Sequence, residues 1–269
     1  MHIVFIGYGK TSERVAQQLF TQHQISSISL SPKHDVYATH YAQDVHDLDL
    51  SYLAPIDVAY VLLSPKQSSL EAYQHTYLDS VEPIVQALKS HPIQRVIVVS
   101  STRVYGENQG ERIDDESTIY PSDAQGAVLY EMEQRWQAAY PKECIIIRPT
   151  GIYGTSVARM IKLAQTTHNY PHIHYSNRIH LDDLASFLAF MFHVKHPEKS
   201  YIVSNNQPLP LHHIIAWFQQ QLALPELVLD SDRLSGKRIY ATYLQQMGFQ
   251  LQHEDCFADY LKLLNKNPT

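Results

Sequence analysis

The stretch "VFIGYGKTSERVAQQL" (residues 4–19) decides the fold. An apolar run, Val4 to Ile6, leads into Gly7-Tyr8-Gly9. Beyond the turn, Val15, Ala16 and Leu19 recur at helical spacing. The pattern is strand, tight glycine turn, helix. Gly7 can take the turn conformation, and Gly9 leaves room for a pyrophosphate to approach the backbone. The helix N-terminus then offers unpaired N–H groups and the positive end of its dipole to phosphates. Ser12 stands where the usual G-x-G-x-x-G pattern has its third glycine. That position eases helix–strand packing, so a serine is tolerated there. At the first strand of an alternating chain, this turn is expected to bind a dinucleotide.

The same rhythm continues outward. "ISSISLS" (25–31), "VAYVLLS" (58–64), "RVIVVSS" (95–101) and "ECIIIRP" (143–149) are short apolar strands. Helical stretches separate them, including one around "YLDSVEPIVQAL" (77–88). Apolar strands alternating with helices predict a Rossmann-type, doubly wound parallel sheet of the α/β class, covered on both faces. After residue 150 loops lengthen and helices dominate, with "SYIVSN" (200–205) as one more strand and "LHHIIAWFQQQL" (211–222) as a helix. The expected organisation is a nucleotide-binding core over 1–155, to which 179–205 return. Residues 156–178 and 206–269 then form a small C-terminal substrate lobe.

Composition narrows the function classes. The chain has 269 residues and a formal net charge of −6, with no arginine-rich tract, so a nucleic-acid partner is not expected. Cys144 and Cys256 lie far apart in sequence, which suggests a reducing compartment. The N-terminus runs straight into "HIVFIG" with no basic leader, and "LASFLAFMF" (184–192) has only the length of a core helix. These features predict a soluble, cytoplasmic protein without membrane association. At the end of the second strand the chain reads "LSPKH" (30–34), with no acid for the adenosine ribose and Asp35 coming late. Ser31 and Lys33 suit a ribose 2′-phosphate by hydrogen bond and charge, which favours NADP over NAD.

An ordered series of motifs carries a family resemblance over nearly the whole chain. "VIVVSSTRVYG" (96–106) is followed by an acid-then-proline loop with Glu116 and Pro121. Next come "IIIRPTGIYG" (145–154) and "RIHLDDLASFL" (178–188), while "AQDVHDL" (42–48) lies upstream. Together they resemble the extended short-chain dehydrogenase/reductases of the NAD-dependent epimerase/dehydratase type. That resemblance implies a nicotinamide cofactor and a nucleotide-sugar or similar carbonyl substrate. It also implies the possibility of a homodimer through the helical stretches 70–90 and 123–140. Position by position, Gly7, Gly9, Lys10 and Thr11 match the phosphate turn, and Asp44 and Val45 the pair bordering adenine. Leu63 and Ser64 match the strand edge beside the cofactor, joined by Ser100 at the end of the next strand. Pro149 and Gly151 match the loop flanking the nicotinamide, and Ser101 the serine that hydrogen-bonds the reacting oxygen. His180 and Asp183 match a pair at a helix start that reads as structural.

The family's centre is Tyr-x-x-x-Lys on one helix, in which the tyrosine moves the proton and the lysine lowers its pKa. "DAQGAVLYEMEQ" (123–134) keeps the frame through Gly126 and Glu133 but puts Gln125 at the tyrosine position and Leu129 at the lysine position. The usual dyad is absent. Three readings follow: an enzyme with a displaced acid/base, an NAD(P)-binding sensor without hydride transfer, or slow chemistry that uses only cofactor and Ser101. For the first, Tyr105, Tyr120, Tyr130 and Tyr153 are candidates, and Tyr105 is favoured because it closes a turn at the carboxyl end of a strand. Gln125 and Arg178 are candidate substrate contacts; Arg178, with Arg159 and Lys162, could meet an anionic group such as a diphosphate. His172 and His174 would share a strand face, but no cysteine or near carboxylate completes a tetrahedral set, so no metal is expected.

Overall fold

The structure is a computed structural model that describes residues 1–266; residues 267–269, the end of the expected substrate lobe, lie outside the described residues. The chain divides into two compact units. One comprises Met1–Gly106, Ile119–Arg148 and Leu184–Tyr201. The other comprises Glu107–Thr118, Pro149–Asp183 and the chain from Ile202 onward.

The first unit is built on strands β1 (His2–Ile6), β2 (Gln24–Ser29), β3 (Thr39–Ala42), β4 (Val58–Val61), β5 (Arg95–Val99) and β6 (Cys144–Pro149). With β7 (Ser200–Val203) they form a seven-stranded sheet in the order β7-β6-β5-β4-β1-β2-β3, parallel throughout β3 to β6. β1 is buried along its whole length, as expected of a strand covered on both faces. Its one polar residue, His2, is satisfied by Ser26 Oγ at 2.9 Å and the Ala54 carbonyl at 3.0 Å. The strand order reverses between β4 and β1, which opens a crevice at their carboxyl ends where ligands of such sheets bind.

Helix α1 (Lys10–Leu19) follows the glycine turn and buries Val15, Ala16 and Leu19. The helical stretch expected around 77–88 is broken. A short α2 (Leu70–Tyr73) runs into a π-helical turn, Gln74–Leu78, before α3 (Val81–Leu88). Ser80 explains the break: its hydroxyl donates back to the carbonyls of Thr76 at 2.8 Å and Tyr77 at 3.2 Å, competing with the helical ladder. Pro83 is accommodated in the first turn of α3, where no N–H is needed. Helix α4 (Ala124–Ala139) is continuous.

The second unit contains a four-stranded sheet of Leu209–Pro210, Ile173–Ser176, Leu234–Ile239 and Glu111–Ile113. Val157, Ala164, Ile214, Phe218, Cys256 and Tyr260 form its apolar core. Both cysteines are buried as free thiols. Among the described residues no helix is long and apolar enough to cross a membrane.

Candidate functional site: a cleft at the end of the sheet

The glycine turn is locked from below. Gly7 has φ +89°, and a Cβ there would fall 2.2 Å from the Leu62 carbonyl oxygen, so only glycine fits where β1 meets β4. Ser12 is buried and its hydroxyl donates to the Gly7 carbonyl at 2.7 Å. The serine in place of the third glycine therefore closes the turn as well as packing the helix. Gly9 caps α1 without a side-chain bond, and a Cβ on it would meet nothing within 4 Å. The helix N-terminus is thus left open to a ligand.

Above this turn lies a cleft of about 520 Å³ lined by the ends of β1, β2 and β4 and by the segments after them. Gly7, Gly9, Asp44, Val45, Leu63 and Ser64 all line it, together with Ser29, Leu30 and Lys66. His46 and His75 line it too and stack on each other with ring centroids 4.0 Å apart. The size and mostly apolar lining fit a dinucleotide's adenosine half, and the bare turn at Gly9 fits its phosphates. Lys10 and Thr11 open α1 but do not line the cleft; nor do Ser31 and Lys33, which lie on the loop beyond β2. Asp35, the acid that comes late, is engaged locally: it accepts the Tyr8 hydroxyl at 3.1 Å and the Tyr37 N–H at 2.9 Å. Burial, and then the Asp35 charge, push the Tyr8 hydroxyl well above its ordinary pKa.

At the end of β5, Ser100 is buried with its hydroxyl lacking any partner among the described residues. Ser101 caps a single helical turn by accepting the Arg103 N–H at 3.2 Å. Arg103 was not singled out from the sequence, yet it organises this corner. Its Nε donates to both oxygens of Asp123 at 3.0 Å, and its Nη2 donates to Gln125 Oε1 at 3.1 Å. The guanidinium lies 5.5 Å from the Tyr73 ring centroid. Burial works against the charge, but Asp123 and Tyr73 outweigh it and raise the pKa above its ordinary value. Gln125 completes the set by donating Nε2 to the Ser68 carbonyl at 3.3 Å. A cation two residues after Ser101 was the available signal.

Helix α4 is held in place by residues other than Gln125 and Leu129. Asp123 caps it by accepting the Gly126 N–H at 2.7 Å. Gly126 is required because a Cβ would sit 2.9 Å from the Arg103 carbonyl. Leu129, at the lysine position, is 1% exposed. Glu133 forms a buried ion pair with Arg148, 2.8 Å from Oε2 to Nη2.

The same arginine also engages Tyr105. Its side chain has 0% exposure, and its hydroxyl accepts Arg148 Nη1 at 3.0 Å inside the sheet–helix interior. The hydroxyl is thus enclosed and engaged by Arg148. Tyr153 is also engaged: it donates to Asp259 at 2.9 Å, and burial and that carboxylate raise its pKa. Tyr120 is largely exposed and Tyr130 half-buried on α4.

The remaining expected site residues belong to the second unit. Pro149 is buried at the strand end, and exposed Gly151 donates its N–H to the Asn177 carbonyl at 3.1 Å. Arg178 is buried and donates Nη2 to Ser176 Oγ at 3.0 Å, and its Nη1 has no hydrogen-bond partner among the described residues. Arg159 and Lys162 are exposed on the helix Ala158–Thr166. His172 and His174 part company, His174 pairing with Ser235 at 2.8 Å and His172 lying 3.4 Å from Arg233. A different trio converges, His180, His253 and Asp259, with donor atoms within 4.8 Å. The two imidazoles are stacked at 3.5 Å, so their lone pairs run parallel instead of converging on one ion. Asp259 is taken up by His253 and Tyr153.

A parallel sheet with a switch-point crevice, a glycine turn and an open helix N-terminus defines a Rossmann-type protein. A model of the NAD dependent epimerase/dehydratase family matches residues 49–201, and the chain belongs to that family. It is 27% identical over 215 residues to Protein YeeZ of Escherichia coli (strain K12), covering 77% of this chain and 75% of that protein. A solved structure from Methylobacillus flagellatus, named for the NAD-dependent epimerase/dehydratases, is 28% identical with TM-score 0.81, covering 98% of each chain. UDP-glucuronic acid 4-epimerase from Bacillus cereus, solved in complex with NAD, shares the fold. Its TM-score is 0.73 at 15% identity, over 94% of this chain and 93% of that one.

Proposed function

We propose that the chain binds a nicotinamide dinucleotide in the cleft over Gly7 and Gly9 and acts on a nucleotide-sugar or similar carbonyl compound by oxidoreduction or epimerisation. The observation that carries this reading is the cleft itself. Six residues expected from the family resemblance, Gly7, Gly9, Asp44, Val45, Leu63 and Ser64, meet around one space of about 520 Å³. NADP is slightly favoured over NAD. Asp35 is occupied by Tyr8, and Ser29 and Leu30, not an acid, line the cleft at the end of β2. Ser31 and Lys33, on the adjoining loop, are the groups to meet a 2′-phosphate. A second reading, a binding protein without turnover, is favoured by the state of α4. Gln125 is committed to Arg103 and Ser68, and Leu129 is buried where a lysine would stand.

The test has two stages. Titration with NADH and NADPH measures binding of each, and NADPH is expected to bind more tightly. NADPH oxidation is then followed against a panel of nucleotide-sugar ketones. Turnover supports the enzyme reading. Cofactor binding without turnover supports the second. If neither dinucleotide binds, both fail.

A further inference from the structure

The corner at the end of β5 holds a guanidinium where the family pattern would bring a tyrosine hydroxyl. We propose that Arg103, with the Ser101 hydroxyl, forms an oxyanion-binding site that holds a substrate's carbonyl oxygen by charge instead of by proton transfer; this rests on the carbonyl chemistry proposed above.

Three features carry it. First, Arg103 is bonded to the side chain at the tyrosine position itself, 3.1 Å from Gln125 Oε1. It lies two residues beyond Ser101, at the carboxyl end of a central strand. Second, the fork is held but not exhausted. A guanidinium carries five N–H donors. Asp123 takes the Nε donor and Gln125 one Nη2 donor, while Tyr73 presents its ring 5.5 Å away, which leaves three N–H donors for a ligand oxygen. The side chain is 34% exposed, so those donors are within reach of solvent and ligand. Third, Asp123 and Gln125 act as positioning residues. Asp123 is fixed as the α4 cap and Gln125 by Ser68, so the fork is oriented before any ligand arrives.

The chemistry balances without a tyrosine. A bound reduced nicotinamide would supply the hydride to the carbonyl carbon and take up the oxidation, so that the C–O π pair would come to rest on the substrate oxygen. Arg103 and Ser101 would hold the resulting alkoxide, which would take its proton from water. Arg103 keeps its own proton throughout.

Oxalate, a small dianion, and oxamide, its neutral diamide, are the probes. Each is titrated calorimetrically into the full chain, alone and with saturating NAD, for wild type, Arg103→Gln and Arg103→Lys. Cofactor binding and the thermal midpoint are measured on the same samples. Oxalate is expected to bind wild type, and oxamide not to compete. Arg103→Gln should weaken oxalate at least tenfold with cofactor affinity unchanged, and Arg103→Lys should fall between them. Oxalate binding equal in wild type and folded Arg103→Gln overturns the proposal, as does no oxalate binding to wild type. An arginine with only a structural role would move the thermal midpoint and leave oxalate affinity alone. The titration without cofactor separates the two readings. Oxalate binding that needs Arg103 in a protein that binds no dinucleotide would sink the proposed function and leave the anion site standing.

Discussion

Replacing Glu133 with glutamine should be among the most destabilising single changes in the first unit. The carboxylate meets Arg148 through three contacts, Nε at 3.1 and 3.2 Å and Nη2 at 2.8 Å. The two side chains are 1% and 6% exposed. The other edge of the guanidinium is satisfied by neutral oxygens only, Tyr105 at 3.0 Å and Ser200 Oγ at 3.1 Å. Glu133→Gln keeps volume and one acceptor but leaves a buried cation without its counter-charge. Breaking such a pair costs about 3–5 kcal/mol. At ~2–4 °C per kcal/mol for a chain of this size class, the midpoint should drop by roughly 6–20 °C. Urea and thermal unfolding followed by circular dichroism measure it, and Trp136, buried on the same helix, reports the first unit by fluorescence. Glu133→Leu combined with Arg148→Met should recover most of the loss, because an apolar pair needs no desolvation. A Glu133→Gln cost under about 1 kcal/mol, or a double variant worse than the single one, would refute the reasoning.

The two turn glycines should separate fold from binding. Gly7→Ala, at φ +89° and against the Leu62 carbonyl, should lose at least ~1–2 kcal/mol in urea unfolding, whereas Gly9→Ala should keep wild-type stability and weaken NADH and NADPH at least tenfold by calorimetry. Stability should fall on acidification below pH 6.5. Burial lowers the His180 and His212 pKa values in the fold, so the unfolded chain takes up protons first. Each histidine still neutral in the fold contributes a slope of up to ~1.4 kcal/mol per pH unit until its folded pKa is passed, and a flat urea midpoint between pH 7 and 5.5 would contradict this. Burial pushes the Cys144 thiol up to about 12 and the Cys256 thiol up as well, so a disulfide-exchange reagent should find no reactive thiol in the native protein and both after denaturation.

The central sheet was legible because its strands are apolar on both faces. "HIVFIG" and "RVIVVSS" became β1 and β5 with ends shifted by one or two residues. β3, "THYA", was not foreseen, since only one of its residues is strongly β-forming and apolar and none is buried. The break between 74 and 80 was hidden as well. It depends on a serine hydroxyl turned back onto the helix, which periodicity does not register. At the site, the glycines could be read because their conformations are forced by sterics. Tyr105 could not be placed, because a tyrosine at a strand end reads the same whether it faces the cleft or a buried arginine. Arg103 was missed for the complementary reason: its role arises from partners 20 and 22 residues away, brought together only by the fold.

The contacts that hold α4 sit on Asp123, Gly126 and Glu133, while the family's chemistry would sit on positions 125 and 129. Folding and reactivity are thus written on different letters of one helix. Selection for a folded chain alone would therefore act on the first set of positions and leave the second free to vary. Positions 125 and 129 are also unequal as sites for recoding: Gln125 stands at a partly open surface, whereas any polar newcomer at Leu129 must first find partners in the interior.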